Sequence, residues 1–365
     1  MMLEHTRLLV ECESPSSDLD AVRRVSEAVA EIGTDVIGRE PERLTVEGCS
    51  HLRWTSPRRT GGRVLLLGHY DTVWPHGSLA AHPFTVEDGV VRGPGSFDMK
   101  VGVVMAIHAM ALVAAHANVD LLLTGDEEIG SLTSRALIEA TAAECSAVLV
   151  LEGAAERGAL KTQRKGISQY TLEASGRAAH AGLEPEKGIN ATLEIAHQVF
   201  AVSMMDAAER GTSVVPTALQ SGTTLNTVPA NAELSIDVRA WDRAEQERVD
   251  RALRALSPAL PGARLHLSGG PSRAPLEQSA SASLFEVAQQ VARDIGIGPL
   301  AGAAVGGGSD GNFTAGIGVA TLDGLGAVGG GAHAVDEHVI LAEVPRRTAL
   351  VAGIVERIGA IVDQD

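Results

Sequence analysis

Acidic residues and a histidine follow three apolar segments of this sequence, at the point where each segment ends. His69 and Asp71 follow the first segment, Glu127 and Glu128 the second, and Glu152 the third. The three segments are Val64–Leu67, Asp120–Gly125 and Ala147–Leu151. Because the carboxyl ends of parallel strands meet at one edge of an open α/β sheet, we expect these side chains to lie close together. One imidazole and several carboxylates form a ligand set that suits zinc, cobalt or manganese.

A loop rich in glycine and proline, Gly93–Lys100, adds another carboxylate between the first two segments. Asp98 lies near the end of this loop, just before an apolar helical run that starts at Val101. The sequence therefore predicts a metal site at the sheet edge.

These residues, with motifs further along the chain, resemble the co-catalytic zinc exopeptidases and amidohydrolases. That family includes aminoacylase, acetylornithine deacetylase, succinyl-diaminopimelate desuccinylase and glutamate carboxypeptidase, and the glutamate carboxypeptidase branch looks nearest. The motifs, in chain order, are His69–Val73, Gly93–Lys100, Thr124–Gly130, Glu152, Gly176–Gly182, Asn226–Pro229, Asp237–Arg239, Gly306–Asp310 and His333. Each motif is short, and their shared order and separations carry the resemblance. One departure is Val101-Gly102, where the family commonly has two glycines.

The resemblance implies a pair of divalent metal ions, most often Zn²⁺, with Co²⁺ or Mn²⁺ able to substitute. His69 and Glu152 would hold one ion, Glu128 and His333 the other, and Asp98 would bridge them. The three carboxylates would contribute about −3 against +4 from the ions, so the centre stays positive and can ionise a bridging water. The resemblance also implies a cis peptide after Asp98.

Further residues receive roles in catalysis and substrate binding from the same resemblance. Glu127 would be the general base, because adjacent side chains leaving a strand point in different directions and cannot both serve the metals equally. Asp71 would orient the far nitrogen of His69. His180 would stabilise the oxyanion from across a dimer. The substrate-binding positions are Arg273, Asn226 and Gly307.

The elements that must position these residues divide into two patterns. An α/β alternation predicts a mixed, mostly parallel sheet flanked by helices, and it includes one predicted strand over Thr45–Trp54. Residues 165–273 instead read β-α-β-β-α-β, which is the ferredoxin-like order. We therefore expect a discontinuous catalytic domain of residues 1–164 and 274–365. The resemblance implies that the insert acts as a lid and dimerisation domain.

Composition excludes several classes of partner. The 365 residues carry 30 basic and 46 acidic side chains, a net charge of −16, which repels nucleic acid and anionic lipid. The longest apolar run, residues 101–115, is too short for a membrane span. Cys12, Cys49 and Cys145 form no paired motif, which is typical of free thiols in a reducing compartment, so we expect a cytoplasmic protein.

The leading interpretation is a metal-dependent hydrolase that cleaves an amide bond beside a free α-carboxylate, as a carboxypeptidase or an N-acyl-amino-acid deacylase. Its partners would be a small-molecule substrate and a second copy of the chain. A catalytically silent homologue that binds a metal or an acyl-amino acid is one alternative, but it would need no base at Glu127. A metal-dependent aminopeptidase is another, and it would favour an acidic group over Arg273.

Overall fold

The computed structural model describes residues 1–57, 62–113 and 117–362, which divide into two compact units. The first unit comprises Met1–Gln163, Glu277–Val305 and Ser309–Asp365. The second comprises Arg164–Leu276 with Gly306–Gly308. Each unit has its own cluster of buried apolar side chains.

Helices and strands alternate along both units. The helices are α1 (Met2–Glu11), α2 (Leu19–Ile37), α3 (Ser78–Ala81), α4 (Val101–Val113), α5 (Arg135–Ala143), α6 (Ala191–Ser203), α7 (Arg243–Arg254), α8 (Gln278–Asp294), α9 (Gly311–Gly316) and α10 (Glu343–Val362). The strands are β1 (Glu42–Val46), β2 (Cys49–Trp54), β3 (Val64–His69), β4 (Thr85–Glu87), β5 (Val90–Arg92), β6 (Val119–Thr124), β7 (Ala147–Val150), β8 (Leu160–Arg164), β9 (Gly166–Ser175), β10 (Ala179–His180), β11 (Ser213–Ser221), β12 (Thr227–Val228), β13 (Asn231–Ala240), β14 (Arg264–Arg273), β15 (Gly302–Val305), β16 (Ala320–Leu322), β17 (Gly329–Gly330) and β18 (His338–Ile340).

The central sheet of the first unit has the strand order β1-β2-β6-β3-β7-β16. The β6-β3-β7-β16 part is parallel, whereas β1 and β2 are antiparallel to their neighbours. Every residue of β3, β6 and β7 is buried, which explains why their sequences are nearly continuous apolar runs. The expected mixed, mostly parallel sheet is thus confirmed, and its carboxyl edge carries the acidic segments.

The single strand expected over Thr45–Trp54 is wrong. The chain forms the hairpin β1-β2 there, with Val46 paired to Cys49 across a two-residue turn. Glu47 and Gly48 both have positive φ, 49° and 87°, which matches the twist of tight hairpin turns. A glycine in the middle of an apparent strand was the signal for this turn.

Helix α4 is the central helix of the first unit. It packs against α10, α2 and strands β6 and β3, and its residues are buried nearly all round. With the preceding turn it forms the segment Ser96–Val113, which by length and composition alone is long enough to cross a membrane, contrary to the sequence expectation. Because 78% of this segment is buried inside the protein, it serves as a core helix.

The second unit has the ferredoxin-like topology. Strands β9, β11, β13 and β14 form an antiparallel sheet in the order β11-β13-β9-β14, with α6 and α7 as the connecting helices. Buried and more exposed residues alternate along β9 and β13, so one face of the sheet packs on the helices. Strand β11 is an edge strand of this sheet.

Alanine substitutions at two glycines, one in α4 and one in α10, test how tightly α4 is packed. A Cβ at Gly102 would lie 2.1 Å from the carbonyl oxygen of Leu151, whereas nothing lies within 4 Å of a Cβ at Gly359 in α10. We expect Gly102→Ala to lower the free energy of unfolding by about 1–3 kcal/mol, because the backbone must move apart. Gly359→Ala should raise it by about 0.5–1 kcal/mol, because alanine loses less chain entropy on folding. Urea unfolding of both variants measures the two changes in the free energy of unfolding. Equal changes in the two variants would contradict this prediction.

Candidate metal centre

Three adjacent parallel strands deliver the site residues to one edge of the sheet. His69 is the last residue of β3, Glu152 lies two residues after the end of β7, and Glu127 and Glu128 lie in a helical turn after β6. His69 and Glu127 are buried, with 1% and 8% of their surface exposed. The strand order, in which β3 lies between β6 and β7, is what makes the three ends neighbours.

Asp98 lies between two histidine-carboxylate pairs. Its Oδ1 is 3.4 Å from His69 Nε2, which is 3.5 Å from Glu152 Oε1. Its Oδ2 is 3.3 Å from His333 Nε2, which is 3.2 Å from Glu128 Oε2. The two carboxylate oxygens of Asp98 thus face different groups. The Asp98–Met99 peptide is cis, as the resemblance implied.

Two buried atoms of this site have no hydrogen-bond partner among the residues that the structure describes. They are His69 Nε2 and Glu128 Oε1. Leaving buried polar atoms unsatisfied is costly, so such atoms usually face an ion, a water or a ligand. Ligand atoms of His69, Asp98 and Glu128 all lie within 4.8 Å of one another. The donor set and its spacing fit divalent cations.

The electrostatics of the site favour positive charge. Hydrogen bonds to Asp98 and Glu128 raise the pKa of His333 to about 10. Burial opposes ionisation of Asp98, but the neighbouring imidazoles of His333 and His69 outweigh it and hold its pKa well below the usual range. Burial raises the pKa of Glu128. Carboxylates that stabilise protonated imidazole in this way would also stabilise a cation in the same place.

Asp71 connects His69 with the turn that carries the acidic pair. It is wholly buried, and its carboxylate accepts hydrogen bonds from the backbone N–H groups of Glu127, at 3.2 Å, and Glu128, at 3.1 Å. Its Oδ1 lies 3.3 Å from His69 Nδ1. Because Nδ1 faces only acceptor oxygens of Asp71, it carries a proton, which leaves Nε2, facing Asp98 and Glu152, as the ring atom that could bind a metal ion.

Ser16 also helps to build the site, through Asp71, although the sequence analysis did not identify it. Its hydroxyl donates a 2.6 Å hydrogen bond to Asp71 Oδ2. The residue belongs to the Ser-Pro-Ser-Ser break between α1 and α2, which indicated only a turn. No local signal connects it with Asp71, because their contact depends on the packing of the chain.

A second cluster of possible ligands, formed by Cys49, His51 and Asp126, lies behind the same turn and is buried. Gly125 N–H donates to His51 Nδ1 at 3.3 Å, so the other ring nitrogen carries the proton and donates to the Thr133 hydroxyl at 3.0 Å. That hydroxyl donates to Asp126 at 2.8 Å. Because both nitrogens of His51 are engaged, the ring offers no lone pair to a metal. We interpret the cluster as a hydrogen-bond network that holds the turn after β6.

The second unit contains the remaining predicted site residues, and it brings two of them together. His180 in β10 pairs with Thr227 in β12, and the carbonyl of Asn226 accepts a 2.9 Å hydrogen bond from Ala181 N–H. His180 is exposed, so its ring is accessible to solvent or to a partner.

Arg273 and Gly307 belong to the same unit. Arg273 is the last residue of β14 and is 8% exposed. Its carbonyl accepts a 2.9 Å hydrogen bond from the Gln246 side chain. The Gly307 carbonyl accepts a 3.0 Å hydrogen bond from Arg164. The backbone at both positions is thus held by side chains of the second unit.

Known proteins are similar to this chain in sequence. Residues 65–357 match the model of Peptidase family M20/M25/M40. Carboxypeptidase G2 of Pseudomonas sp. (strain RS-16) is 32% identical over 316 residues, which cover 83% of this chain and 75% of that protein. Succinyl-diaminopimelate desuccinylase of Xanthomonas euvesicatoria pv. vesicatoria (strain 85-10) is 29% identical over 375 residues, covering 93% and 97%.

Solved structures show the same fold. Aminopeptidase PepT from Bacillus cereus superposes with a TM-score of 0.75 at 19% identity, covering 98% of both chains. A metallo-carboxypeptidase of the M20 family from Sulfolobus solfataricus also has a TM-score of 0.75, at 14% identity, covering 98% of this chain and 99% of the other.

Fold, site and relatives together define a metal-dependent hydrolase that acts on amide bonds. The chain belongs to Peptidase family M20/M25/M40, and the resemblance seen in its motifs is confirmed. The similarity to carboxypeptidase G2 fits the branch that those motifs favour.

Proposed function

We propose that this enzyme uses two divalent metal ions, Zn²⁺ by preference, to hydrolyse an amide bond beside a free α-carboxylate. The observation that carries the proposal is the position of Asp98, with one carboxylate oxygen facing each histidine-carboxylate pair. Two relatives are named as a carboxypeptidase and a desuccinylase, and both names describe cleavage of an amide bond to an amino acid. The substrate would be an N-acyl or N-aminoacyl amino acid.

Five side chains would hold the ions. His69 and Glu152, which lie close together, would bind one ion, and His333 and Glu128 the other, while Asp98, which faces both histidines, would bind both. Bound divalent cations lower the pKa of a coordinated water, which supplies a nucleophile at neutral pH. Asp71 keeps the proton of His69 on Nδ1, so that Nε2 stays available as a ligand atom.

Glu127 would move the proton. It is buried beside the proposed ligand Glu128, and its backbone N–H donates a hydrogen bond to Asp71. A carboxylate placed there can take a proton from the attacking water and give it to the leaving amine. From the second unit, His180 would stabilise the oxyanion, and Arg273 would bind the substrate carboxylate. Asn226 and Gly307 would contact the rest of the substrate.

The division of roles between Glu127 and its neighbour is the direct test of this mechanism. Glu127→Gln should keep both ions but lower kcat about 10²–10⁴-fold, because only proton transfer is lost. Glu128→Gln should lose metal, because a ligand is removed. Metal analysis by mass spectrometry and steady-state kinetics on N-acyl amino acids measure the two effects. Equal loss of metal from both variants would refute the assignment of Glu127 as base and Glu128 as ligand. Full turnover by chelator-treated wild-type protein would refute the metal mechanism.

The requirement for a free carboxylate is tested at Arg273. A guanidinium binds a carboxylate through two parallel charge-assisted hydrogen bonds. Arg273→Ala should therefore raise KM strongly for substrates with a free α-carboxylate and leave KM for the corresponding amides nearly unchanged. The measurement is KM for matched acid and amide substrates. If the substitution changes KM equally for both kinds of substrate, Arg273 has a structural role. A preference of the wild-type enzyme for substrates with a free amine would instead indicate an aminopeptidase.

We further propose a homodimer that forms through the second unit. Edge strand β11 leaves backbone groups on its outer side for another strand to pair with. Large apolar side chains are exposed on this strand and on the neighbouring helix α6 and its C-cap. They are Leu193, Phe200, Met204, Val215 and Leu219. Pairing through a two-fold axis would cover this surface on both copies.

The dimer proposal predicts that mixing two inactive variants restores activity if His180 acts across the interface. His180→Ala and Glu127→Gln homodimers should each be nearly inactive. After subunit exchange about half of the dimers are mixed, and each has one repaired site, so about a quarter of wild-type activity should return. The measurement is the rate of hydrolysis before and after exchange, with heterodimers confirmed by two affinity tags. Confirmed heterodimers as inactive as their parents would show that His180 acts in its own chain or not at all.

The state of the cysteines supports a cytoplasmic location, which we also propose. Cys12, Cys49 and Cys145 are free thiols, and burial raises the pKa of Cys49 and Cys145 to about 12. Protonated, buried thiols do not need an oxidising compartment. Fractionation of the source cells tests this location, and recovery outside the cytoplasm would contradict it.

A further inference from the structure

We propose that Glu337 positions the loop that carries Asp98 and thereby sets the geometry of the metal pair. This inference rests on the proposed function, in which Asp98 binds both ions. Glu337 lies four residues after His333, and sequence reasoning gave it no role. Its carboxylate would act through Asp98 and not touch the substrate or the ions.

Four N–H groups donate hydrogen bonds to the Glu337 carboxylate. Oε1 accepts from the backbone of Phe97, at 2.8 Å, and of Asp98, at 3.0 Å. Oε2 accepts from the backbone of Gly95, at 2.9 Å, and from Trp74 Nε1, at 2.8 Å. Three of the four donors are therefore backbone groups within four positions of the proposed bridging residue, and one belongs to that residue itself.

The small antiparallel sheet explains how a residue so late in the chain reaches this loop. Strand β18 pairs with β17 on one side and with β5 on the other, in the order β17-β18-β5-β4. The tight connection between β17 and β18 carries His333 and Glu337, while β5 leads directly into the loop Gly93–Lys100. The same sheet thus places Asp98 beside both His333 and Glu337.

The backbone at the ends of this connection is closely packed. A Cβ at Gly329 would lie 1.9 Å from the His338 carbonyl oxygen, so only glycine allows β17 to approach β18 as it does. Gly331 has a φ of 76°, and its Cβ would lie 2.8 Å from backbone atoms of residues 336 and 337. The backbone that leads into Glu337 therefore packs directly against the start of the connection that carries His333.

The chemistry of the contact calls for an ionised carboxylate. Glu337 is only 3% exposed, and every hydrogen bond described for it is accepted from an N–H group. An amide in its place would turn an NH₂ group towards two of the four donors, so those two hydrogen bonds would become repulsive contacts. The loop would then shift, and with it the two carboxylate oxygens that face His69 and His333. Metal sites tolerate displacements of only about 0.5 Å.

The test compares metal binding by wild-type protein and Glu337→Gln. Zinc and cobalt affinities are measured by competition with a chromophoric chelator, and the visible spectrum of the cobalt-loaded protein reports the ligand geometry. We expect Glu337→Gln to weaken metal affinity about 10–100-fold and to alter the cobalt spectrum. Its kcat should fall with little change in KM, because the substrate contacts are untouched. Trp74→Phe, which removes the hydrogen-bond donor outside the loop, should weaken metal affinity less than Glu337→Gln does.

A matched control separates positioning from general loss of stability. Glu194 is also a buried carboxylate, and it accepts hydrogen bonds from Ala259 N–H, Leu260 N–H and the Gln198 side chain, but it belongs to the second unit. Glu194→Gln should lower the Tm of the metal-free protein and leave metal affinity unchanged. Glu337→Asp, which keeps the charge but shortens the side chain, serves as the second variant if Glu337→Gln does not fold, and its affinity should also fall.

The outcomes distinguish the positioning role of Glu337 from the proposed two-metal function. Wild-type metal affinity and an unchanged cobalt spectrum in Glu337→Gln or, if it does not fold, in Glu337→Asp would overturn the positioning role while leaving the metal mechanism intact. A wild-type protein that binds fewer than two ions would overturn the proposed function, and this inference with it. Weakened affinity in the Glu337 variants but not in Glu194→Gln supports the positioning role.

Discussion

A wholly buried carboxylate, Asp71, is the constraint on which the rest of the site depends. Burying a charge is tolerable only if hydrogen bonds replace the water that it loses. Asp71 obtains them from the Ser16 hydroxyl and the backbone of Glu127 and Glu128, and it lies against His69 Nδ1. Satisfying this one group therefore fixes the α1–α2 connection, the end of β3 and the turn after β6 relative to one another.

The position of Asp98, the proposed bridging residue, depends on other contacts. Asp98 belongs to a loop and not to a strand end, so the parallel sheet alone does not place it. The loop runs directly into α4, which at Gly102 approaches the Leu151 carbonyl too closely for a side chain, and it also follows β5 of the β17-β18-β5-β4 sheet. Glu337 then satisfies the backbone N–H groups that lead into Asp98. Rigid surroundings would matter here because, in the proposed function, one carboxylate has to face two ions.

The proposed metal ligands and the proposed substrate-binding residues lie in different units of the chain. The five proposed ligands, Glu127 and Asp71 belong to the first unit, whereas the proposed substrate-binding residues and His180 belong to the second. Each unit has its own apolar core, so residues that recognise the substrate can change without disturbing the packing around the ligands. This separation gives a physical reason why members of one family of metal-dependent hydrolases act on different amides.

The sequence by itself determined the elements whose signal is local. Apolar runs identified β3, β6 and β7 because strands buried on both faces need such runs, and polar residues at their ends identified His69, Glu128 and Glu152 as neighbours. The order β-α-β-β-α-β identified the ferredoxin-like unit in the same way. His333 and the bridging role of Asp98 came from resemblance to a known family, since their loops carry no periodic pattern.

Only the tertiary structure decided the remaining features. The turn at Glu47 and Gly48 divides an apparent single strand, because a positive φ at two successive residues outweighs strand propensity. Ser16 and Glu337 look like ordinary turn residues in the sequence, and their partners lie far along the chain. A buried hydrogen bond depends on where the folded backbone places donor and acceptor, and such long-range contacts leave no local pattern in the sequence that would reveal them.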